Sequence, residues 1–213
     1  MASHYQEVKS LILKLNQQEL LKNRIILAGG TVPYIVSQTT SKREHLDIDM
    51  IVYQEDMIFV REFLNKYKIP YVDSKDLSYN RTYTDYGIDA FIDGITVNFA
   101  PYQFYDQIMI QRNILTRKGS GMDALVSVQM NISDIEKILK RTFVEETQIC
   151  SYSLEMVKIM KEKSKKKKDK IDIRVIDNFG YDENMYLVLK EQLKDMKFEI
   201  IPKNRLLRFL FHR

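Results

Sequence analysis

The sequence predicts an α+β fold in which a small mixed β-sheet is flanked by helices and followed by a C-terminal helical segment. Short apolar runs at residues 25–28 and 46–52 end in turn or loop residues, as buried strands do. A strong two-residue turn signal stands at residues 93–94, and apolar residues recur at helical spacing near both ends of the chain. We expect an α+β domain over residues 1–152, with the helical segment of residues 153–213 packed against it.

Composition narrows the class of protein. The 213 residues are 45% hydrophobic and 29% charged, which is ordinary for a globular chain. No apolar run approaches the roughly 18 residues that span a bilayer, and the N-terminus lacks the apolar stretch of a secretory signal. We therefore expect a cytoplasmic protein with no membrane contact. The single cysteine, Cys150, is expected to be a small buried side chain in a reducing compartment.

The order of helices and strands follows from the apolar spacing and the helix-start and turn signals. After the turn at residues 93–94 we expect a mainly helical chain, in which Ser133 and Glu136 form a capping box for a helix over residues 135–143. One short strand is expected at residues 149–152. The predicted helices cover residues 5–22, 31–37, 60–67, 154–163, 169–178 and 183–197.

The turn at residues 93–94 also predicts a hairpin register. If Asp93-Gly94 is the two-residue turn, Ile92 lies opposite Ile95 and Asp89 lies opposite Asn98. One face of the hairpin then carries only apolar side chains, namely Ile88, Ala90, Ile92, Ile95, Val97 and Phe99. Because a one-residue slip would expose that set, we expect Asp89 and Asn98 to lie side by side on the other face.

Asp47 and Asp49 are the centre of the functional argument. Residues two apart on a strand point to the same face, so the two carboxylates repel each other unless a cation lies between them. Mg²⁺ is commonly held by one or two carboxylates together with substrate phosphates. Asp-x-Asp on the solvent side of an edge strand is the alternative, and the short motif alone does not exclude it.

A double glycine strengthens the metal hypothesis. Gly29 and Gly30 close the preceding strand, and glycines at a strand-to-helix turn let the backbone approach a phosphate. The sequence therefore predicts a phosphate-binding turn beside a metal site. The net charge is only +4, but lysines crowd residues 161–170. This basic region suits a triphosphate or a nucleic acid, or it is a solvated helix end.

Two separated motifs resemble the DNA polymerase β-like nucleotidyltransferase superfamily. The first is Leu27-Ala28-Gly29-Gly30-Thr31 followed by Arg43-Glu44-His45-Leu46-Asp47-Ile48-Asp49. The second is Lys158 followed by Lys166-x-Lys168-Asp169-x-x-Asp172. In particular, they resemble the branch that contains AbiEii-type toxins, lincosamide and aminoglycoside nucleotidyltransferases, and minimal nucleotidyltransferases. The resemblance covers residues 20–176.

That resemblance implies Mg²⁺-dependent transfer of a nucleoside monophosphate from a nucleoside triphosphate to a hydroxyl group. It implies two Mg²⁺ ions held by Asp47, Asp49 and a third acidic residue. Asn98 stands at the third position, and Asp89 on the adjacent strand is the acidic group that takes its place, so both are candidates. Asp47, Asp49 and Asp89 are the predicted catalytic residues.

The resemblance also implies nucleotide contacts and an acceptor class. The nucleotide-binding set is Gly29, Gly30, Thr31, Arg43, Lys158 and Lys168, while Asp169 and Asp172 are expected to orient lysines or cap a helix. The acceptor is a small molecule or the 3′ end of an RNA or tRNA. Alternatively, the chain is a catalytically weak or inactive binding module, for example one partner of a toxin–antitoxin pair. A plain nucleic-acid-binding protein is a third hypothesis.

Overall fold

The computed structural model describes residues 2–41, 43–45, 47–77, 83–116, 123–164 and 166–202. The α-helices are α1 (Ala2–Gln17), α2 (Val32–Ser37), α3 (Met57–Lys66), α4 (Leu154–Ser164), α5 (Asp169–Phe179) and α6 (Glu183–Gln192). The strands are β1 (Ile25–Ala28), β2 (Asp47–Tyr53), β3 (Tyr71–Leu77), β4 (Tyr83–Ile92), β5 (Ile95–Tyr105), β6 (Ile108–Thr116), β7 (Asp123–Met130), β8 (Leu139–Val144), β9 (Thr147–Tyr152) and β10 (Lys197–Pro202). This mixed sheet with flanking helices confirms the predicted fold class.

Within the described residues, ten strands form one mixed sheet in the order β10-β7-β6-β5-β2-β1-β9-β8, with β4 and β3 added beside β5. Strand β5 has two neighbours on one edge: its first half pairs with β4 and its second half with β6. Its other edge pairs in parallel with β2. The strand therefore links the Asp-x-Asp segment on β2 to the hairpin formed with β4.

The hairpin has the predicted register. Asp89 is paired with Asn98, and Ile92 with Ile95. The six apolar side chains expected on one face are all at most 5% exposed. Burial of that face, at about 1.5–3 kcal/mol for each large side chain, explains why the register does not slip.

The helices cover the apolar face of the sheet. In α1, Val8, Leu11, Ile12 and Leu15 are almost wholly buried, at the i, i+3, i+4, i+7 spacing of one helix face. At the other end of the chain, α4 packs against α5 and α6, and both α4 and α5 contact α2. None of the helices in the described ranges is long and apolar enough to cross a membrane. The boundary at residue 152 stays a prediction.

The sheet is larger than the sequence suggested, because the region after the hairpin is not mainly helical. Four strands, β6 to β9, occupy most of residues 108–152. The expected helix over residues 135–143 is a single 3-10 turn, Ile135–Ile138, followed by β8. Asp134 caps that turn by accepting a hydrogen bond from the Glu136 amide, in place of the predicted Ser133. The last predicted helix also ends early, at Gln192, and β10 follows it.

Candidate active site

Asp47 and Asp49 project from the same face of β2. Ile48 and Met50, which alternate with them along the strand, are fully buried on the opposite face. Asp47 is exposed and Asp49 is partly buried. Asp47 pairs with Thr96 and Asp49 with Asn98 on the adjacent strand β5. The predicted shared face for the two carboxylates is therefore present.

The Asp49 carboxylate lies directly against Gly29. This glycine has a φ of +69° and begins the turn that follows β1. A Cβ atom at Gly29 would overlap Oδ2 of Asp49, so only a glycine leaves room for the carboxylate there. The double-glycine turn and the Asp-x-Asp strand are thus in contact, as the metal and phosphate hypothesis requires.

Asn98 and Asp89 extend this polar row across two more strands. Asn98 is 7% exposed, and its side-chain Nδ2 donates a 2.7 Å hydrogen bond to Oδ1 of Asp89. That bond fixes which way the amide points. The amide oxygen of Asn98 is buried and has no hydrogen-bond partner among the described residues. Asp89 therefore orients the amide and leaves one buried acceptor free.

Burial and charge together perturb Asp49. Its burial, and next the nearby negative charge of Asp47, raise the pKa of Asp49 from 3.8 to about 6. The positive charges of Lys168, Lys161 and Lys166 act in the opposite direction without cancelling that rise. A cation placed between the two carboxylates would relieve the unfavourable interaction.

Gly30, the second glycine, lies against an arginine. A Cβ atom at Gly30 would overlap the Arg43 guanidinium, whose Nη2 donates a 3.4 Å hydrogen bond to the Gly30 carbonyl oxygen. Arg43 also donates to both carboxylate oxygens of Asp172 on α5, at 2.8 and 2.9 Å. Burial would raise the pKa of Asp172, but the hydrogen bonds from Arg43 and Lys161 hold it below its usual value.

A second ion pair connects the same helices to the lysine-rich segment. Lys161 on α4 lies 2.5 Å from Asp172 and 3.2 Å from Asp169. Asp169 in turn accepts hydrogen bonds from the Ser164 hydroxyl and from the Lys166 amide. The exposed Lys166 and Lys168 thereby lie close enough for their positive charges to act on the pKa of Asp49.

Two further residues of the predicted nucleotide-binding set, Lys158 and Thr31, are buried. Lys158 is 8% exposed and contacts Asp177 at 2.6 Å and the Tyr181 hydroxyl at 2.7 Å, with its ammonium 4.0 Å from the Tyr181 ring centre. Thr31 is 1% exposed, and its hydroxyl oxygen has no partner in the described part of the chain. Their roles stay predictions.

Sequence reasoning missed two residues of this site. The Tyr34 hydroxyl donates a 3.0 Å hydrogen bond to Asp172, and Lys161 bridges Asp172 and Asp169. Lys161 stands one turn after the motif residue Lys158, and Tyr34 stands on α2 just after the glycines. The packing of α5 against both α2 and α4 brings them to Asp172, so no local pattern identifies them.

The donor set fits a hard divalent cation. Within the described ranges no three His, Cys, Asp or Glu side chains are clustered closely enough to hold a metal ion. Two carboxylates, from Asp47 and Asp49, are joined by the unpartnered amide oxygen of Asn98. Carboxylate and amide oxygens are ligands of Mg²⁺ and Ca²⁺. These three residues are the ones that would hold such an ion, and Asp89 as a further ligand stays a prediction.

Comparisons with known proteins agree with this fold. No family model matches the chain, and no curated protein matches it. Two solved structures of the antibiotic-resistance factor ANT(2″)-Ia are similar to it. The solution structure is 14% identical over 90% of this chain and 91% of that one, with a TM-score of 0.52. The crystal structure, in complex with adenylyl-2″-tobramycin, is 13% identical over 87% and 95%, also with a TM-score of 0.52.

A third structure, the lincomycin-bound lincosamide antibiotic adenylyltransferase LnuA, is 12% identical over 84% of this chain and 98% of that one, with a TM-score of 0.48. The AbiEii-like part of the sequence resemblance is untested by any of these structures and stays a prediction. The likeness to ANT(2″)-Ia is one of fold, and it gives this chain the nucleotidyltransferase fold.

Proposed function

We propose that the protein transfers a nucleoside monophosphate from a nucleoside triphosphate to a hydroxyl acceptor, in a reaction that depends on Mg²⁺. The observation that carries the proposal is the contact between Gly29 and the Asp49 carboxylate. This contact supports the proposal because glycines at such a turn would let the backbone approach a phosphate beside carboxylates that would hold a metal. The nucleotidyltransferase fold supports the same reaction class.

The residues divide the chemistry between them. Asp47 and Asp49, with the amide oxygen of Asn98, would hold Mg²⁺, in up to two ions as the family resemblance implies. When bound, Mg²⁺ neutralises phosphate oxygens and lowers the pKa of a coordinated hydroxyl. Asp89 is the carboxylate that we assign to receive the proton of the acceptor. The acceptor oxygen forms a bond to the α-phosphorus while the bond to the departing pyrophosphate breaks.

The nucleotide would lie between the glycine turn and the C-terminal helices. Gly29, Gly30 and Thr31 would approach the phosphates through their backbone, since the glycines have no side chain in the way. Lys168 would neutralise the triphosphate from the other side, supported by its influence on Asp49. Arg43 and Lys158 are the remaining residues of the predicted nucleotide-binding set, and each already has a carboxylate partner, Asp172 for Arg43 and Asp177 for Lys158.

The acceptor is proposed in two forms. A small hydroxyl compound would follow ANT(2″)-Ia, whose crystal structure contains adenylyl-2″-tobramycin. An RNA 3′ end would suit the exposed lysines at residues 166–168 and 170, which exceed what one triphosphate needs. A salt titration of the transfer reaction separates the two, because transfer to RNA should weaken steeply as the salt concentration increases and transfer to a neutral small molecule should not.

Labelled nucleotides test the reaction. The protein is incubated with each α-labelled nucleoside triphosphate, Mg²⁺, and either total RNA or a panel of hydroxyl compounds. We expect label transfer that Asp49→Ala abolishes and that EDTA abolishes. Asp195→Ala, an exposed change beyond α6, is the matched control and should retain transfer. Transfer that persists in Asp49→Ala would contradict the proposed site.

A second candidate rests on Asn98. An amide brings no negative charge, so the site holds one carboxylate fewer than the family resemblance implies. The chain would then be a nucleotide-binding module with little or no catalysis, for example one partner of a toxin–antitoxin pair. Nucleotide binding without transfer to any acceptor would favour this candidate, and transfer would exclude it.

A further inference from the structure

Asp172 is the most heavily shared carboxylate in the described part of the site. Its side chain is 0% exposed and accepts from Tyr34, from two nitrogens of Arg43 and from Lys161. These donors come from α2, from the loop before β2 and from α4. Together with Asp169, which also contacts Lys161, two carboxylates face the two cationic side chains of Arg43 and Lys161. Removal of the Asp172 charge would leave the half-buried Arg43 guanidinium without its carboxylate partner among the described residues, which is unfavourable in a low dielectric.

Arg43 has few N–H groups left for a substrate. Its Nε and Nη2 donate to Asp172, and Nη2 also donates to the Gly30 carbonyl oxygen. Its Nη1 donates a 3.3 Å hydrogen bond to the Glu44 carbonyl oxygen. The planar fork therefore joins α5 to the glycine turn at a fixed geometry, which a lysine could not reproduce.

The same carboxylate is linked to the lysine-rich segment. Lys161 bridges Asp172 to Asp169, and Asp169 accepts from the amide of Lys166. One continuous set of hydrogen bonds and ion pairs therefore runs from the Gly30 carbonyl oxygen to the backbone of Lys166. These are the two elements that face a nucleotide in the proposed function.

We infer that Asp172 is a positioning residue, which acts through Arg43 and Lys161 to hold the glycine turn and the lysine segment at a fixed separation for the triphosphate. Arg43 then acts on the turn and not on the phosphate. This inference rests on the proposed function. It differs from that function because it concerns how the binding elements are held, whether or not transfer follows.

Two variants and one control test this inference. Arg43→Lys keeps the charge but loses the fork, and Asp172→Asn keeps the shape but loses the charge. Arg61→Lys is the control, because Arg61 makes an equivalent two-nitrogen contact with Asp73 at 2.9 Å and a further contact with Asp85. That cluster lies on α3, β3 and β4, outside the proposed site.

Two measurements are made on each folded variant. The first is backbone hydrogen exchange of residues 28–32, which reports on the turn without any ligand. The second is the Kd for Mg²⁺·ATP by calorimetry. We expect Arg43→Lys to accelerate exchange at the turn and to weaken binding about tenfold, as the loss of a charge-assisted hydrogen bond would. Arg61→Lys should change neither.

The double variant separates positioning from direct phosphate contact. If Arg43 acts through Asp172, the Arg43→Lys/Asp172→Asn protein should bind Mg²⁺·ATP no more weakly than the weaker single variant. Independent, multiplying losses would overturn the inference, and so would unchanged exchange at the turn. If Asp172→Asn does not fold, Tyr34→Phe replaces it in the cycle, since it removes one hydrogen bond to the same carboxylate and changes no charge.

Failure of the proposed function can be told apart from failure of this inference. A wild-type protein that binds Mg²⁺·ATP but transfers no label would refute the reaction, and both readouts above would still decide the role of Asp172. A wild-type protein that binds none of the four nucleoside triphosphates in the presence of Mg²⁺ would overturn the inference as well.

Discussion

Asp49 should destabilise the metal-free protein at neutral pH. Its pKa is raised from 3.8 to about 6, first by burial and then by Asp47. The folded protein therefore holds this proton more tightly than the unfolded chain does, and the free energy of unfolding falls as pH rises from about 4 to about 6. The two pKa values differ by about 2, which corresponds to at most about 3 kcal/mol.

Asp49→Asn tests this magnitude, because the amide resembles the protonated carboxyl at every pH. In EDTA, we expect the variant to be more stable than wild type by up to about 3 kcal/mol at pH 7.5, or by about 6–12 °C in Tm for a chain of this size. The difference should shrink as pH falls below 6 and vanish near pH 4. Thermal unfolding followed by circular dichroism over pH 4–8 measures it.

Mg²⁺ should reverse the order of stability. The ion stabilises the folded wild type by mass action, and Asp49→Asn loses a ligand and gains less. Asp195→Asn, an exposed change, is the control and should show neither effect. Equal stability of Asp49→Asn and wild type at pH 7.5 would refute the argument that burial of this charge is unfavourable. A stability difference that stays constant with pH would refute it too.

Three further predictions concern single residues. Gly29→Ala should abolish Mg²⁺-dependent stabilisation, because its Cβ would overlap the neighbouring Asp49 carboxylate. Gly180 also has a positive φ, but nothing lies within 4 Å of its Cβ position, so Gly180→Ala should cost only about 1–3 kcal/mol of backbone strain and keep the Mg²⁺ effect; thermal shifts with and without Mg²⁺ compare the two variants. Asn98→Asp should bind Mn²⁺ more tightly by calorimetry, with the exposed change Asn131→Asp as control; an unchanged Kd would mean that position 98 contacts no metal. Burial lowers the pKa of His45 from 6.5 to about 4, so the free energy of unfolding of the wild type falls as pH drops through that interval. His45→Gln should remove this part of the stability loss in acid, as measured by thermal unfolding over the same pH range; equal acid dependence in both proteins would contradict this.

The parts of the fold that the sequence predicted correctly are those set by local rules. The Asp93-Gly94 turn and strict alternation on both sides determine the hairpin register, so the pairing of Asp89 with Asn98 could be stated in advance. The strand with Asp47 and Asp49 was likewise identified from its own residues. Local rules also place Gly29 at a turn, because its conformation there is one that other residues rarely adopt.

The errors lie where pairing partners decide the structure. Residues 108–116 and 123–130 are short apolar runs, which periodicity alone cannot assign to helix or strand. The first becomes β6 because it pairs with the edge of β5, and the second becomes β7 because it pairs with β6 in turn. The contact between Arg43 and Asp172 joins residues far apart in sequence. No spacing predicts such a contact, and it depends on how α5 packs against α2.

Strand β5 has a consequence for the order in which the site assembles during folding. The pair Asp89 and Asn98 closes over a two-residue turn, which requires little loop closure and can form within microseconds. The parallel pairing of Asp49 with Asn98 has to bring together segments separated by all of α3 and the hairpin, and such non-local contacts are slow. In newly made chains the Asp89–Asn98 pair should therefore form well before Asp49 reaches its place beside Asn98.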